Sequence, residues 1–437
     1  MTISSAKDNG YRGIWFTLGQ MCEYGDKYSG GLGTYTAKHV PLAVYAPAVE
    51  KTFFVYGGAR RGERHLLAMA SYYDHREHHV PKPTIVHDKQ GVDDPHDNPS
   101  IALDGEGHVW VFVSGRGRKR PGFKYRSLEP HSVDAFELVA EEEMTYPQPW
   151  WMSGRGFLHL FTKYTGVREL YWNASPDGRQ WSPHRKLAGM GGHYQTSHRC
   201  GELVLTAFNA HPDGRPDTRT NLYFAQTDDM GETWRNAAGT RLDLPLTELD
   251  CPALVRDFQA EGRLVYMKDI SCDAAGHPVI LVVTSASFEP GPAGQPRIWT
   301  LVRWDGASWR FGEVARSTHN YDMGSLYIEA DGIWRIIAPT EPGPQYHGTG
   351  GEMALWLSRD QGNTWEKVRD LTTASPRNHA YARRPVDAHA DFYAFWADGN
   401  PDEFSPSHLY FADRTGEQVW ILPCDMEADF AAPQPLA

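Results

Sequence analysis

Three residues in separate loops could move protons or bind an anion. His96 lies between two prolines, and a rigid loop would hold its imidazole in place as a general acid or base. Tyr164 follows a short apolar run, and a tyrosine near cations can exchange a proton in the same way. Arg219 precedes another apolar run and could hold a carboxylate through two parallel hydrogen bonds. We predict these three as catalytic residues, against the alternatives of a loop histidine bonded to the backbone, a tyrosine at an exposed rim and an arginine in a structural salt bridge.

The net charge restricts the partners of such a site. The 437 residues carry a formal net charge of −12 at pH 7, which repels nucleic acid and anionic membranes at long range. No apolar run approaches the ~20 residues that span a membrane. We expect neither nucleic acid nor a membrane as a partner, and an anionic substrate would need a local cluster of cations.

Short strands must position these residues. Runs such as residues 108–113 and 278–283 are rich in β-branched or aromatic residues and are bounded by turn-forming residues. No long stretch with helical periodicity competes with them. The sequence therefore predicts an all-β fold.

A turn motif repeats along the chain. Residues 227–234 and 358–365 both read [ST]-x-D-x-G-x-T-W, and shorter copies occupy residues 175–181 and 304–309. The motif resembles the Asp box of sialidase-like propellers, whose Asp and Gly shape a tight turn and whose Trp packs between sheets. The copies lie 52 and 55 residues apart in two pairs, which is typical of four-stranded propeller blades. We predict a single domain over residues 1–437, a seven-bladed β-propeller with antiparallel blades and Asp-box turns.

Each blade should begin with a strand beside the central axis. We expect the segment 11–16 to add the outer strand of the last blade, which would leave the ring without free strand edges. The innermost strands are predicted to begin near Tyr35, Asn98, Gln148, Tyr194, Pro252, Tyr321 and Tyr381.

The direction of the strands determines the face of the propeller on which each loop lies. Because the strands alternate in direction, loops leading into the first strand share one face with loops between the second and third strands. A positive cluster on this face of an acidic protein indicates an anionic ligand such as a uronate, although polar residues near a propeller axis can also be structural. The predicted substrate-binding residues on this face are Arg116, Lys163, His193, His211, Lys268, His319 and Arg383.

Other histidines fall outside this face. His39 should end the innermost strand of the first blade and so lie on the opposite face. His75 and His78 could bind a metal from one loop, but a solvated polar loop is the alternative that we favour.

Together these residues resemble a carbohydrate-active β-propeller superfamily with BNR repeats. It includes rhamnose-α-1,4-glucuronate lyases, ulvan lyases, and α-L-rhamnosidases that use a single histidine. The resemblance covers nearly the whole chain, and its most specific stretches are residues 11–15, 30–35, 96–99, 219–223, 320–327, 338–343 and 392–399.

The resemblance implies roles for particular residues. In the lyases, a histidine matching His96 works with a second histidine on the neighbouring loop, where this chain has Arg116. An arginine can neutralise a uronate carboxylate but is a poor general base near neutral pH. In the rhamnosidases, the catalytic histidine is similar in position to His39.

Three functions follow. The first is a lyase that cleaves a rhamnose–uronic acid glycan by β-elimination at a glucuronate, with an anionic oligo- or polysaccharide as substrate. The second is an α-L-rhamnosidase that acts through His39, although hydrolases usually use two carboxylates. The third is a glycan-binding propeller without catalysis.

Three further predictions concern cofactors, the cysteines and the cellular location. No cofactor is required for β-elimination, and the resemblance implies a possible structural calcium for which no loop is specified. The five scattered cysteines predict free thiols. The first residues lack the apolar core of a signal peptide, so the sequence as it stands predicts a cytoplasmic protein, whereas a longer precursor with a leader would be secreted or periplasmic.

Overall fold

Seven antiparallel sheets surround a central axis in the computed structural model, which describes residues 3–32 and 39–436. Each sheet is one blade, and its four main strands follow one another in sequence from the axis outward. The predicted all-β, seven-bladed propeller is therefore confirmed.

The blade strands have the following bounds, from the axis outward. Blades 1 to 3 contain Ala43–Ala46, Lys51–Gly58, Leu67–Asp74 and Thr84–Asp88; Pro99–Leu103, Val109–Val113, Gly122–Ser127 and Phe136–Glu142; and Thr145–Met152, Gly156–Thr165, Val167–Ser175 and Arg185–Ala188. Blades 4 and 5 contain Gln195–Cys200, Leu203–Ala210, Thr220–Thr227 and Leu254–Arg256; and Leu264–Cys272, Pro278–Ser285, Arg297–Trp304 and Trp309–Ser317. Blades 6 and 7 contain Ser325–Ile328, Trp334–Glu341, Glu352–Ser358 and Glu366–Asp370; and Asn378–Arg383, Ala394–Gly399, Leu409–Ala412 and Val419–Ile421.

Shorter elements join and extend the blades. The additional strands are Ile3–Ser4, Gly13–Ile14, Phe16–Thr17, Met21–Cys22, Gly25–Asp26, Ser29–Gly30, Val80–Pro81, Pro406–Ser407, Phe430–Ala431 and Gln434–Pro435. The 3₁₀ turns of the described residues are Pro95–Asp97, Pro212–Gly214, Pro216–Thr218 and Pro292–Gly294. None of these described helices has the length and apolar character needed to cross a bilayer.

The core lies between blades. Every residue of Val109–Val113 and of Pro278–Ser285 is buried, because both faces of these strands pack against neighbouring sheets. Such strands therefore read as continuous apolar runs rather than as an apolar–polar alternation.

The Asp boxes form the predicted turns. In the first full copy, Asp229 accepts hydrogen bonds from the backbone N–H and the hydroxyl of Thr233, at 2.8 and 2.6 Å. Trp234 of this copy is buried and packs edge-on against Trp172 of blade 3. Gly231 has a φ of +84°, and a Cβ there would lie 2.2 Å from the Trp172 ring nitrogen, so the turn requires glycine.

The first and last blades meet directly. Val386 exchanges backbone hydrogen bonds with Tyr45 and Ala43, at 3.0 and 2.9 Å. The prediction that residues 11–16 form the outer strand of the last blade is wrong. Gly13–Ile14 pairs instead with Lys51–Gly58 and Pro406–Ser407, and Val419–Ile421 already fills the outer position because it directly follows its partner strand.

Two predictions about innermost strands also need correction. Pro252 precedes the outermost strand of blade 4, and blade 5 begins only at Leu264. The connection after Thr227 carries an Asp box and further turns, so its length hides the blade boundary. His39 precedes the innermost strand of blade 1 instead of ending it, and the predicted start at Tyr35 lies outside the described residues.

A disulfide joins blades 4 and 5. Cys200 and Cys272 end the innermost strands of these neighbouring blades, and their Cα atoms are 6.3 Å apart. The prediction of free thiols is therefore wrong for this pair, because the ring brings together residues 72 positions apart. Cys22, Cys251 and Cys424 are free.

Candidate active site

We call the end of the axis where the innermost strands begin the upper face. His96 lies there in the turn Pro95–Asp97, directly before the first strand of blade 2, and is 4% exposed. Asp94 Oδ1 accepts hydrogen bonds from the His96 backbone N–H, at 3.0 Å, and from its ring Nδ1. One carboxylate thus fixes both the turn and the ring, and the second ring nitrogen, Nε2, carries the lone pair.

Basic residues surround this pair. Asp94 Oδ2 accepts hydrogen bonds from Arg116, at 2.9 Å, and from Arg120, at 2.6 Å. Burial lowers the pKa of His96 to about 4, and the charges of Arg116 and Arg168 act in the same direction, against the raising effect of Asp94. The imidazole is therefore neutral near pH 7 and can accept a proton.

Tyr164 and Arg168 face each other across the hairpin between the second and third strands of blade 3. Arg168 Nε donates a hydrogen bond to the Tyr164 hydroxyl at 3.1 Å, and its guanidinium lies 4.9 Å from the ring of Tyr194. Its two terminal nitrogens have no hydrogen-bond partner among the described residues. Arg168 was not predicted, although the pairing of Tyr164 with the fourth residue after it in a tight hairpin is a signal that could have found it.

Tyr146 connects these groups. Its ring centre lies 5.4 Å from that of His96 and 5.8 Å from that of Tyr194. Its φ of +57° is unusual for an aromatic residue, and such strained positions are concentrated at functional sites. His96, Tyr146, Tyr194 and Arg168 thus form one continuous wall, of which sequence reasoning had found only His96.

Arg219 lies on the upper face but is enclosed. It is 2% exposed, and its guanidinium lies 4.8, 4.7 and 5.2 Å from the rings of Tyr194, Tyr266 and Tyr321. Its Nη2 donates to the hydroxyl of Tyr28, at 3.3 Å. Its Nε donates to the Pro216 carbonyl at 2.6 Å, and its predicted role in holding a carboxylate stays a prediction.

The N-terminal segment creates this enclosure. Tyr28 donates a hydrogen bond to Asp217 of blade 4, at 2.9 Å, and packs on Tyr321 beside blade 6, at 4.8 Å between ring centres. Lys27 forms an ion pair with the same Asp217, at 2.7 Å. The segment therefore covers one side of the upper face, while the His96 side is built from loops of blades 2 and 3.

Three predicted substrate-binding residues lie near the upper face and have partners other than His96. His193 is buried, and both ring nitrogens bond to backbone groups, of Met190 and Asn209, each at 2.8 Å. Lys163 pairs with Glu143, at 3.8 Å. His211 is buried against the ring of Tyr194.

Three others are part of the axial framework. Lys268 lies within the innermost strand of blade 5, not in the loop where it was predicted, and its Nζ donates to the Asn320 carbonyl at 2.6 Å. Arg383 ends the innermost strand of blade 7 and is 3% exposed. His319 is also buried, with Thr349 Oγ1 at 3.2 Å from its Nδ1. These contacts give Lys268 and His319 a structural role, which is sufficient to explain why a lysine and a histidine occur at these positions.

His39 does not lie on the opposite face. Its Nε2 donates a hydrogen bond to the backbone carbonyl of His96, at 3.1 Å, and its side chain has no exposed surface. The prediction is wrong because the chain enters the innermost strand of blade 1 only after His39. Burial lowers the pKa of His39 to about 3.

Two buried carboxylates near the axis, Asp322 and Asp269, do not suit the calcium that the resemblance implies. Asp322 accepts hydrogen bonds from two backbone N–H groups, and Asp269 from the N–H groups of Ile270 and Leu326. Lys268 and Arg384 lie beside these carboxylates. Calcium needs six to eight oxygen ligands, and these two acids offer few that are not already engaged.

Two proteins that are similar to this chain in sequence are ulvan lyases. An ulvan lyase of Nonlabens ulvanivorans is 22% identical over 63% of this chain and 65% of its own length. An ulvan lyase of Alteromonas sp. (strain LOR) is 21% identical over 71% of this chain and 70% of its own length. The chain thus aligns with about two thirds of the length of these relatives.

Solved structures share the fold. The structure of an ulvan lyase from a new polysaccharide lyase family superposes with a TM-score of 0.72, at 15% identity, over 94% of this chain and 95% of that one. The same lyase bound to -[GlcA(1-4)Rha3S]- gives a TM-score of 0.71, at the same identity and coverage.

A family profile covers more than half of the sequence. Residues 68–317, which run from blade 1 to the end of blade 5, match the description "BNR repeat-containing family member". This chain belongs to the BNR repeat-containing family.

Proposed function

We propose that this chain is a polysaccharide lyase that cleaves a glycan of rhamnose and uronic acid by β-elimination. The observation that carries the proposal is the pair of buried His96 and half-buried Asp94, with Arg116, Arg168 and Tyr164 around it on the upper face. Two relatives of this chain are ulvan lyases, and a lyase of the same fold binds a glucuronate–rhamnose fragment, which supports the same substrate class.

The charges on the His96 side favour a uronate. Lys89 and Arg120 both pair with Asp97, at 2.7 and 2.9 Å, while Arg116 pairs with Asp94 and Arg168 is part of the wall. This part of an acidic protein therefore has more cations than carboxylates. A uronate carboxylate bound by Arg168 and Arg116 would have its charge neutralised, which makes the neighbouring C5 proton more acidic.

His96 and Tyr164 would then exchange protons with the substrate. Neutral His96 takes the C5 proton on Nε2, the C5–H electron pair forms the C4=C5 double bond, and the C4–O4 bond breaks. The Tyr164 hydroxyl donates a proton to the departing O4. Atoms and charges balance without a redox cofactor, and the product carries an unsaturated uronate at its new end.

The hydrolase alternative depends on His39. Since His39 is enclosed and bonded to the backbone of His96, no described feature supports a separate site around it. A propeller that binds glycans without cleaving them remains an outcome of the experiment.

The experiment follows two products at once. The protein is incubated with ulvan and with a rhamnose–glucuronate glycan, while ultraviolet absorbance reports the conjugated double bond and chromatography reports free rhamnose. We expect the absorbance to rise with wild type and with His78→Ala, a surface control, and not with His96→Ala. Rhamnose release without absorbance would contradict the lyase proposal, and binding with neither product would indicate a binding protein.

A further inference from the structure

Two histidines and an aspartate meet where the first and last blades join, at the end of the axis away from His96. His75 follows the third strand of blade 1, and His389 and Asp391 lie in the loop between the first two strands of blade 7. One ligand atom from each residue lies within 4.8 Å of the others. The sequence had paired His75 with His78, but His78 Nδ1 lies 3.1 Å from the Tyr73 hydroxyl instead.

His75 is held as a metal-binding histidine usually is. Its Nε2 bonds to Thr52 Oγ1 at 2.8 Å, and its residue exposure is 9%. Its Nδ1 is buried and has no hydrogen-bond partner in the part of the chain that the structure describes. A hydrogen bond on one ring nitrogen orients the ring and leaves the other nitrogen to the metal, while a buried nitrogen without any partner costs free energy.

His389 and Asp391 face this nitrogen. The ring centres of His75 and His389 are only 4.0 Å apart, and His389 Nδ1 lies 3.8 Å from Asp391 Oδ2. Two imidazoles this close would repel each other if both were protonated.

We propose that His75, His389 and Asp391 bind a divalent transition-metal ion, with Zn²⁺ as the best fit, across the junction of blades 1 and 7. Two nitrogens and one carboxylate oxygen suit Zn²⁺, with water as the fourth ligand, and are too poor in oxygen for calcium or magnesium. Tetrahedral zinc places such atoms about 3.4 Å apart, so the side chains need to close by little more than 1 Å.

The ion would strengthen the closure of the ring. The junction already contains packing, the backbone bonds of Val386 with Ala43 and Tyr45, and two short strand pairings, of Gly13–Ile14 with both sides and of Val80–Pro81 with Phe430–Ala431. The ligands come from opposite ends of the sequence, so a bound ion would close a very long loop and stabilise the folded chain in proportion to its binding. The inference does not depend on the proposed lyase activity, because His96 lies at the other end of the axis.

The test uses the full chain after treatment with a chelator. Zn²⁺ is titrated by calorimetry, Co²⁺ by its visible absorption, and thermal unfolding is measured with and without Zn²⁺. His389→Ala and Asp391→Asn remove ligands at a partly exposed loop, and His79→Ala removes a nearby histidine that packs against Phe430 instead.

We expect wild type and His79→Ala to bind one ion per chain and to unfold at a higher temperature with Zn²⁺. Both ligand variants should bind at least about tenfold more weakly and lose the shift in unfolding temperature, while unfolding like wild type in chelator. Equal binding by wild type and both ligand variants would overturn the proposal, as would the absence of stoichiometric binding by wild type.

Discussion

The loops that lead into blades 2 and 6 contain the same residue types in different arrangements. In blade 2, Asp94 bonds to the ring and to the backbone N–H of His96. In blade 6, Asp322 bonds to the backbone N–H groups of His319 and Gly350, both at 2.8 Å, and leaves the His319 ring to other partners. One aspartate orients an imidazole, whereas the other holds two loops together.

The surroundings of the two aspartates also differ, since one is partly open to solvent and the other is enclosed. Arg116, whose side chain is 44% exposed, reaches Asp94 from the surface, so a substrate can approach the pair. Burial raises the pKa of Asp322 to about 6, opposed by its hydrogen bonds and by Lys268 inside the axis. A histidine and an aspartate at the same place in a blade are therefore catalytic candidates only where the carboxylate orients the ring and cations reach it from solvent.

The largest expected effect is the difference in rate between substitution of His96 and substitution of His319. His96→Ala should lower the lyase rate by about 10²–10⁴, the usual contribution of a general base, with little change in unfolding temperature. His319→Ala should keep most of the rate but destabilise the fold by about 1–3 kcal/mol, because buried partners lose their hydrogen bonds. Initial rates by ultraviolet absorbance and thermal unfolding measure both, and a fully active His96→Ala enzyme would contradict the comparison.

Substitution of the two aspartates should likewise lower the rate in one loop and the stability in the other, by smaller amounts. Asp94→Asn removes the charge that orients the His96 ring, so we expect the rate to fall by about a hundredfold. Asp322→Asn leaves one acceptor for two backbone N–H groups, so the free energy of unfolding should fall by about 1–3 kcal/mol. Rates and urea unfolding are measured for both, and equal effects of both substitutions on the rate would remove the distinction.

The two arginines form the next comparison. Arg168→Lys keeps a positive charge but loses the planar fork, so kcat/KM should fall about tenfold, mostly through KM. Arg219→Lys removes a guanidinium from among three tyrosine rings, which should cost about 0.5–2 kcal/mol of stability. If Arg219→Lys raises KM while the unfolding temperature stays unchanged, Arg219 binds substrate directly, as the sequence predicted.

The fold could be predicted from the sequence because its signals are local. An Asp box needs only its own eight residues to make its turn, as Asp229 and Thr233 do, and continuous apolar runs mark strands packed on both faces. Pro252 was misplaced because an irregular connection interrupts the regular spacing of the blades.

The site was less predictable because its contacts are distant in sequence. His96 was found from its own loop, but Tyr28 reaches Arg219 across 191 positions, and no local pattern shows that contact. His39 and His96 were assigned to opposite faces and are in fact bonded to each other. Which cations surround His96 depends on the packing of blades 2 and 3.

Lowering the pH should have opposite effects on the stability that His96 and Asp322 contribute. Burial lowers the pKa of His96 from 6.5 to about 4, so its contribution to stability is present above pH 6.5 and is lost as the pH falls toward 4. Burial raises the pKa of Asp322 from 3.8 to about 6, so its contribution is present below pH 3.8 and is lost as the pH rises through 6.

The smallest expected effect is a difference in how stability changes with pH, and it tests the direction of each pKa shift. Urea unfolding of wild type, His96→Gln and Asp322→Asn is measured at several pH values between 6.5 and 4.5. Wild type should lose stability over this range, because buried neutral histidines such as His193, whose pKa burial also lowers to about 4, resist protonation in the fold. His96→Gln should lose about 1 kcal/mol less than wild type and Asp322→Asn about 1 kcal/mol more. Parallel curves for the three proteins would mean that neither group changes its proton affinity on folding, and the two loops would then differ in geometry alone.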